Sequence, residues 1–190
     1  MSAPRRSVLA MAVLSMLSEE PMHPYRMQQL IKERHKGDVV NVTQRNSIYQ
    51  TIDRLLRDDL VEVASTAREA NRPERTTYRV TDTGRATLRQ WLDAMLSTPA
   101  REYPEFPAAL SFLPSLSRRD AVAALTTRIS RLEQRLAALD DELTQGSTFL
   151  LRLFLVESEY QRQVVAAELD YVRSLVEDLR AGRITWPSSP

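Results

Sequence analysis

The sequence predicts a mainly α-helical chain in two parts: three helices and a two-stranded hairpin first, then long helices. Three observations predict it. From Ile48 the apolar residues fall at Ile48, Ile52, Leu55 and Leu56, the three-and-four spacing of a helix with one buried stripe. Directly after it, the alternating run Leu60, Val61, Glu62, Val63 and the run Thr77 to Val80 read as two strands. A polar segment with several arginines, Ala67 to Thr76, separates them, so the economical interpretation is a hairpin with a basic tip. Beyond Ser117, Leu125, Ile129, Leu132, Leu136, Leu139 and Leu143 recur alternately at four and three residues, which is a heptad seam.

Taken in order, Ser7 is an N-cap for a first helix whose apolar positions include Val8, Met11, Ala12, Leu14 and Leu17. Ser18 to Pro21 breaks it. Pro24 suits the first turn of a second helix, because its missing N–H would be unpaired there in any residue. His23 is a cap or a packing residue, and Tyr25 fills the interface between the first helices or, as the lesser reading, touches phosphate. The second helix runs through Met27, Leu30 and Ile31 and fades by Gly37, and Val39 to Val42 is a short extended connection. Thr43 or Asn46 caps the third helix. Three helices followed by a hairpin make a winged helix-turn-helix. Thr81 or Asp82 opens a further helix with Ala86, Leu88, Trp91, Leu92 and Met95 on its apolar face. Pro99, Pro104, Pro107 and Pro114 then punctuate the chain. We therefore expect one domain over 1–98 and a second over 104–184. The second begins with a short helix from Ala108 to Leu113, continues with a long helix from Arg118 to Thr144 capped by Ser117, and breaks at Gln145-Gly146-Ser147. A last helix carries Leu150, Leu153, Tyr160, Val164 and Tyr171 on one side and Val165, Leu169, Val172, Val176 and Leu179 on another. Two such helices cannot bury that much apolar surface alone, so a second copy of the chain is the expected cover, through the heptad seam.

Composition narrows the chemistry. The 190 residues contain no cysteine and two histidines, His23 and His35, which leaves no thiolate site and little to build a metal centre or a nucleophile–base pair on. Asp140, Asp141 and Glu142 read as a solvated face. Only four glycines are present and none forms a phosphate loop, so neither an enzyme nor a cofactor is expected. Nothing approaches a membrane-spanning run and no cleavage signature follows Arg5 and Arg6, so the expected location is cytoplasmic. Net charge is +1. Residues 1–85 hold 14 basic against 11 acidic residues and the remainder 12 against 14, too weak an asymmetry to argue from.

Function is carried by the order of motifs. Opposite the stripe of the third helix lie Arg45, Ser47, Gln50, Thr51, Arg54 and Arg57, donors, acceptors and cations placed to meet base edges while the apolar side docks on a core. Thr43, Asn46 and Thr76 belong to the same expected DNA-binding set. Tyr49 is either a phosphate or base contact or a partly buried packing residue. Arg68, Arg72 and Arg75 are placed to reach phosphates or the minor groove from the wing. Arg5 and Arg6 touch phosphates or belong to a disordered terminus. Trp91, Phe106 and Phe112 pack cores or line an effector pocket near the domain junction.

The chain resembles the PadR-like transcriptional regulators. The resemblance lies in E-P-M-H-P-Y-R-M at Glu20 to Met27, N-S-I-Y-Q-T-I-D-R-L-L-R-D-D-L-V-E at Asn46 to Glu62, and N-R-P-E-R-T-T-Y-R-V-T-D-T-G-R at Asn71 to Arg85. These follow the order and spacing of that family's second helix, recognition helix and wing. Three positions depart from its pattern. Pro24 follows the histidine where glycine is usual, Asp59 stands where the recognition helix usually ends on glycine, and Asn71 stands at a common wing glycine. Aspartate and asparagine can both take left-handed backbone, at more conformational cost than glycine.

The resemblance implies dimerisation through the C-terminal helices, a repressor and a small-molecule effector. The expected function is therefore a homodimeric, ligand-responsive repressor that covers a pseudo-palindromic stretch of duplex DNA. A winged protein–protein interaction scaffold without DNA-binding activity is the alternative.

Overall fold

The computed structural model describes residues 6–34, 36–40, 46–67 and 75–186, the side chains of Asp38, Asn46, Ala67 and Arg75 excepted. The chain divides into two compact units, Met1–Arg101 and Glu102–Pro190.

In the first unit, helix α1 (Val8–Glu19) starts where Ser7 Oγ accepts the Ala10 N–H at 3.1 Å. It is apolar around most of its circumference, so it is buried on several sides at once, against α3, α4 and the second strand. Ala10, Val13, Leu14 and Leu17 are almost wholly covered. Helix α2 (Pro24–Glu33) has Pro24 in its first turn and His23 as its cap, with Nδ1 accepting the Arg26 N–H at 3.1 Å. Tyr25 departs from the sequence reading: its ring stacks on His23 and is mostly exposed instead of filling the gap between helices. A single 3-10 turn at Lys36–Asp38 follows α2 and delivers Val40 to the core.

Helix α3 (Asn46–Arg57) seats Ile48, Ile52 and Leu55 in the core. Asp59 takes the left-handed conformation, φ 56°, and the Leu60 N–H returns to the Leu55 carbonyl at 2.9 Å. That closure reverses the chain into strand β1 (Val61–Ala67), antiparallel to β2 (Arg75–Val80) with Val61 opposite Val80 and a register shift between Val63 and Ser65. Met22 exchanges both backbone hydrogen bonds with Tyr78, at 3.1 and 3.0 Å, which pins the base of the hairpin to the link between α1 and α2.

Helix α4 (Asp82–Ser97) is capped by Thr81, whose Oγ1 accepts the Gly84 N–H at 3.0 Å and donates to the Asp59 carbonyl at 2.8 Å. Gly84 sits against the turn after α3: a Cβ there would lie 2.0 Å from the Leu60 carbonyl oxygen. Backbone cannot yield as a side chain does. Gly84→Ala is expected to destabilise the first unit by about 3 kcal/mol, the upper end of overpacking effects, read as a fall in the denaturant midpoint at unchanged slope.

In the second unit, helix α5 (Glu105–Ser111) starts three residues earlier than expected, because Pro107 falls in its first turn, where proline is tolerated. Leu113–Ser115 is a separate 3-10 turn. Helix α6 (Arg118–Gly146) is capped by Ser117 and continues through Gly146, and helix α7 (Val156–Arg180) follows. Leu150 and Leu153, expected on the last helix, precede it in a bend and a 3-10 turn at Arg152–Phe154. Cross-links between Arg128 and Glu168, Arg135 and Gln161, Asp140 and Arg162, and Glu142 and Ser158 show by their order that α6 and α7 run antiparallel.

Part of the expected dimer seam packs within the hairpin of one chain. Leu125 joins Val172, Val176 and Leu179 of α7 in one buried cluster, Ile129 and Leu132 pack against it, Leu139 is 1% exposed within its own chain, and Leu136 and Leu143 are partly covered. A heptad seam requires a facing helix but does not say whose. Here the same chain returns to supply it.

Candidate nucleic-acid interface

The apolar stripe of α3 fixes which side chains face outward. At 100° per residue, Thr51 lies one turn before Leu55 and therefore on the inner side. It is 7% exposed, with Oγ1 donating to the Ser47 carbonyl at 2.7 Å. Its expected place on the open face is thus corrected. The exposed set is Tyr49, Gln50, Asp53 and Arg57, with Tyr49 50% exposed on the flank nearer the wing. Asp53, an acidic residue absent from the expected set, shares this face three residues after Gln50.

Arg54 lies on the border. It is half-buried and directed to the start of α1, where Nη2 donates to Ser7 Oγ at 3.2 Å, while Nε is buried without a hydrogen-bond partner. The guanidinium therefore ties the N-terminus of α1 to α3 and does not stand out with Gln50. Arg6 beside it is exposed.

On the wing, Glu62 and Arg79 face each other across the strands in an exposed ion pair, worth about 0–1 kcal/mol. The Ser65 and Thr77 hydroxyls lie 2.7 Å apart in a second rung, and Thr76 is half-buried next to them. The Tyr78 phenol is held above its ordinary range, first by burial and then by the Asp53 carboxylate and Tyr49. Strand β1 packs against α3. Thr43, Arg45, Arg68, Asn71 and Arg72 lie outside the described residues, as do the side chains of Asn46 and Arg75.

The aromatic residues expected around an effector belong to different units. Trp91 belongs to the core of the first unit, and Phe112 is largely exposed. Phe106 lines a cavity of about 420 Å³ within the second unit, walled by α5, the following turn and α6. Its lining is mostly apolar, Leu110, Leu113, Leu116 and Leu132 among it, with Arg128 and Arg131 as the cations. The Arg128 guanidinium lies 3.6 Å from the Phe106 ring centre. Among the described residues no cluster of three metal-binding side chains occurs, and no helix is long and apolar enough to cross a membrane.

Three helices, a left-handed turn and a two-stranded hairpin beside an outward polar helix face define a winged helix-turn-helix. Residues 13–90 match the model of the transcriptional regulator PadR-like family, so the first unit carries a PadR-like domain. The fold of the chain is likewise that of PadR-like regulators. It is similar to Bacillus subtilis PadR solved in complex with operator DNA, at 21% identity and a TM-score of 0.72 over 91% of this chain and 99% of that one. Bacillus subtilis PadR in complex with p-coumaric acid matches at 18% identity and 0.72, over 92% and 99%. The Vibrio cholerae virulence activator AphA matches at 16% identity and 0.67, over 91% and 98%. At these identities the likeness is one of fold. No curated protein sequence matches.

Proposed function

We propose that the chain is a sequence-specific, DNA-binding transcriptional regulator that acts as a homodimer, represses by covering promoter DNA, and responds to a small molecule. The observation that carries this reading is the outward face of α3, with Tyr49 and Gln50 beside a wing on a PadR-like domain. A polar helix face rigidly seated on a core is what major-groove reading requires.

The second copy is the cover proposed for the apolar surface that the α6–α7 hairpin leaves open. Val156, Tyr160, Val164 and Tyr171 form one exposed stripe on α7, on the side away from Leu169, Val172, Val176 and Leu179. Phe149, Leu151, Leu153 and Phe154 extend the exposed apolar surface through the turn before the helix. A monomeric protein rarely leaves so much contiguous apolar surface to water. Two copies joined this way carry two reading helices related by a twofold axis. Their preferred site is a pseudo-palindrome with half-sites roughly 34 Å apart or a multiple of that. For the effector, the Phe106 cavity is the proposed place, and the mechanism is a change in the separation of the two reading helices. Solution of a similar fold with p-coumaric acid supports ligand responsiveness.

Selection from a random duplex pool with the purified chain tests the reading: enrichment of a two-part palindromic sequence supports it, and a pool left unchanged at low salt refutes it. On the selected duplex, Gln50→Ala is expected to cost about 1–3 kcal/mol of binding and to relax preference at one position. Equal losses on selected and random duplex would remove Gln50 from the base-reading face.

A further inference from the structure

The open face of α3 is not uniformly cationic. Asp53 lies on it, exposed, between Gln50 and the wing side. Arg57 stands four residues later, the spacing at which a carboxylate and a guanidinium on a helix surface pair. Yet Arg57 Nε donates to the Asp53 backbone carbonyl, at 3.3 Å, and among the described residues the Asp53 carboxylate has no hydrogen-bond or ion-pair partner. The Tyr78 phenol, raised first by burial, is close enough to be raised further by the Asp53 carboxylate. A carboxylate in this position is repelled by every phosphate of a bound duplex, so it weakens binding unless it meets a donor.

In the major groove the base-edge donors are the amino groups of cytosine and adenine. Adenine sets its N7 acceptor beside the amino group, which suits an amide and repels a second anion. Cytosine offers N4–H₂ without an adjacent acceptor on its own ring. We propose that Asp53 accepts a hydrogen bond from the N4 amino group of a cytosine in each half-site, making it a specificity-determining residue next to Gln50. The proposal rests on the DNA-binding reading and adds the base. Repulsion elsewhere sharpens it: the carboxylate disfavours duplexes that present oxygen or N7 acceptors at that point.

The test compares random-duplex selections for the wild type, Asp53→Ala and Asp53→Asn. Because the side chain is exposed and without a partner, both variants are expected to keep the wild-type thermal midpoint. The wild type is expected to enrich one C·G pair per half-site, Asp53→Ala to flatten that column alone, and Asp53→Asn to move it toward adenine, which an amide reads through N6 and N7. Replacing that cytosine by a 2-pyrimidinone nucleotide, which lacks only the amino group, is expected to weaken wild-type binding about tenfold beyond any loss seen with Asp53→Ala. Unchanged columns in both variants, with affinity rising equally on all duplexes, overturn the inference and leave Asp53 a source of phosphate repulsion while DNA reading stands. A wild-type selection that enriches nothing overturns both.

Discussion

A chain carrying Tyr160→Glu and Val164→Glu is expected to sediment as a single copy with both units folded, and to lose about 10²- to 10⁴-fold in affinity for a duplex with two half-sites. Both side chains are exposed on the side of α7 away from its buried residues, Tyr160 at 70%, so the substitutions remove little packing within the chain. They place four charges on the twofold surface, where like charges from two copies would meet. Affinity falls because a single head must then find its half-site without the second head raising its effective concentration. Binding to a duplex with one half-site is expected to be unchanged, which separates loss of assembly from damage to the reading helix. A variant that remains dimeric at micromolar concentration would place the contact elsewhere.

Leu139→Glu is expected to have the opposite character. Leu139 is almost fully enclosed in the hairpin of its own chain, so a carboxylate there is buried without a designed partner. Such changes cost more than about 4 kcal/mol, enough to unfold a marginal domain. The expected result is loss of the second unit's cooperative thermal transition and of its helical signal, with the first unit still folded. Were the seam an interface between copies, the same substitution would give a stable, folded monomer instead. The contrast between Leu139 and Tyr160 therefore reports directly which side of each long helix faces the same chain.

Much of the fold was legible because local chemistry decides it. Ser7, Thr81 and Ser117 cap helices through hydroxyls that accept N–H groups three residues on, a relation readable from spacing alone. Asp59 takes the left-handed turn that its position required. Periodicity on α7 separated two apolar sides, and both exist: Val172, Val176 and Leu179 inside, Tyr160 and Val164 outside.

What was not legible depended on partners distant in sequence. The seam of α6 called for a facing helix, and only the returning chain shows that α7 supplies it. Leu150 and Leu153 continue the apolar pattern of α7 but lie before its first turn, in a bend and a 3-10 turn that periodicity alone does not distinguish from helix. Thr51 looks like a donor by type, yet its place one turn before Leu55 puts it inside. Arg54 is expected among the base readers, and its hydrogen bond to Ser7 at the start of α1 depends on a residue 47 positions away.

The most direct test is sedimentation of the purified chain alone and then mixed with the duplex it selects. The proposed function predicts two copies in free solution and two copies on each palindromic duplex. A single copy in free solution, or one copy per duplex carrying both half-sites, would contradict it.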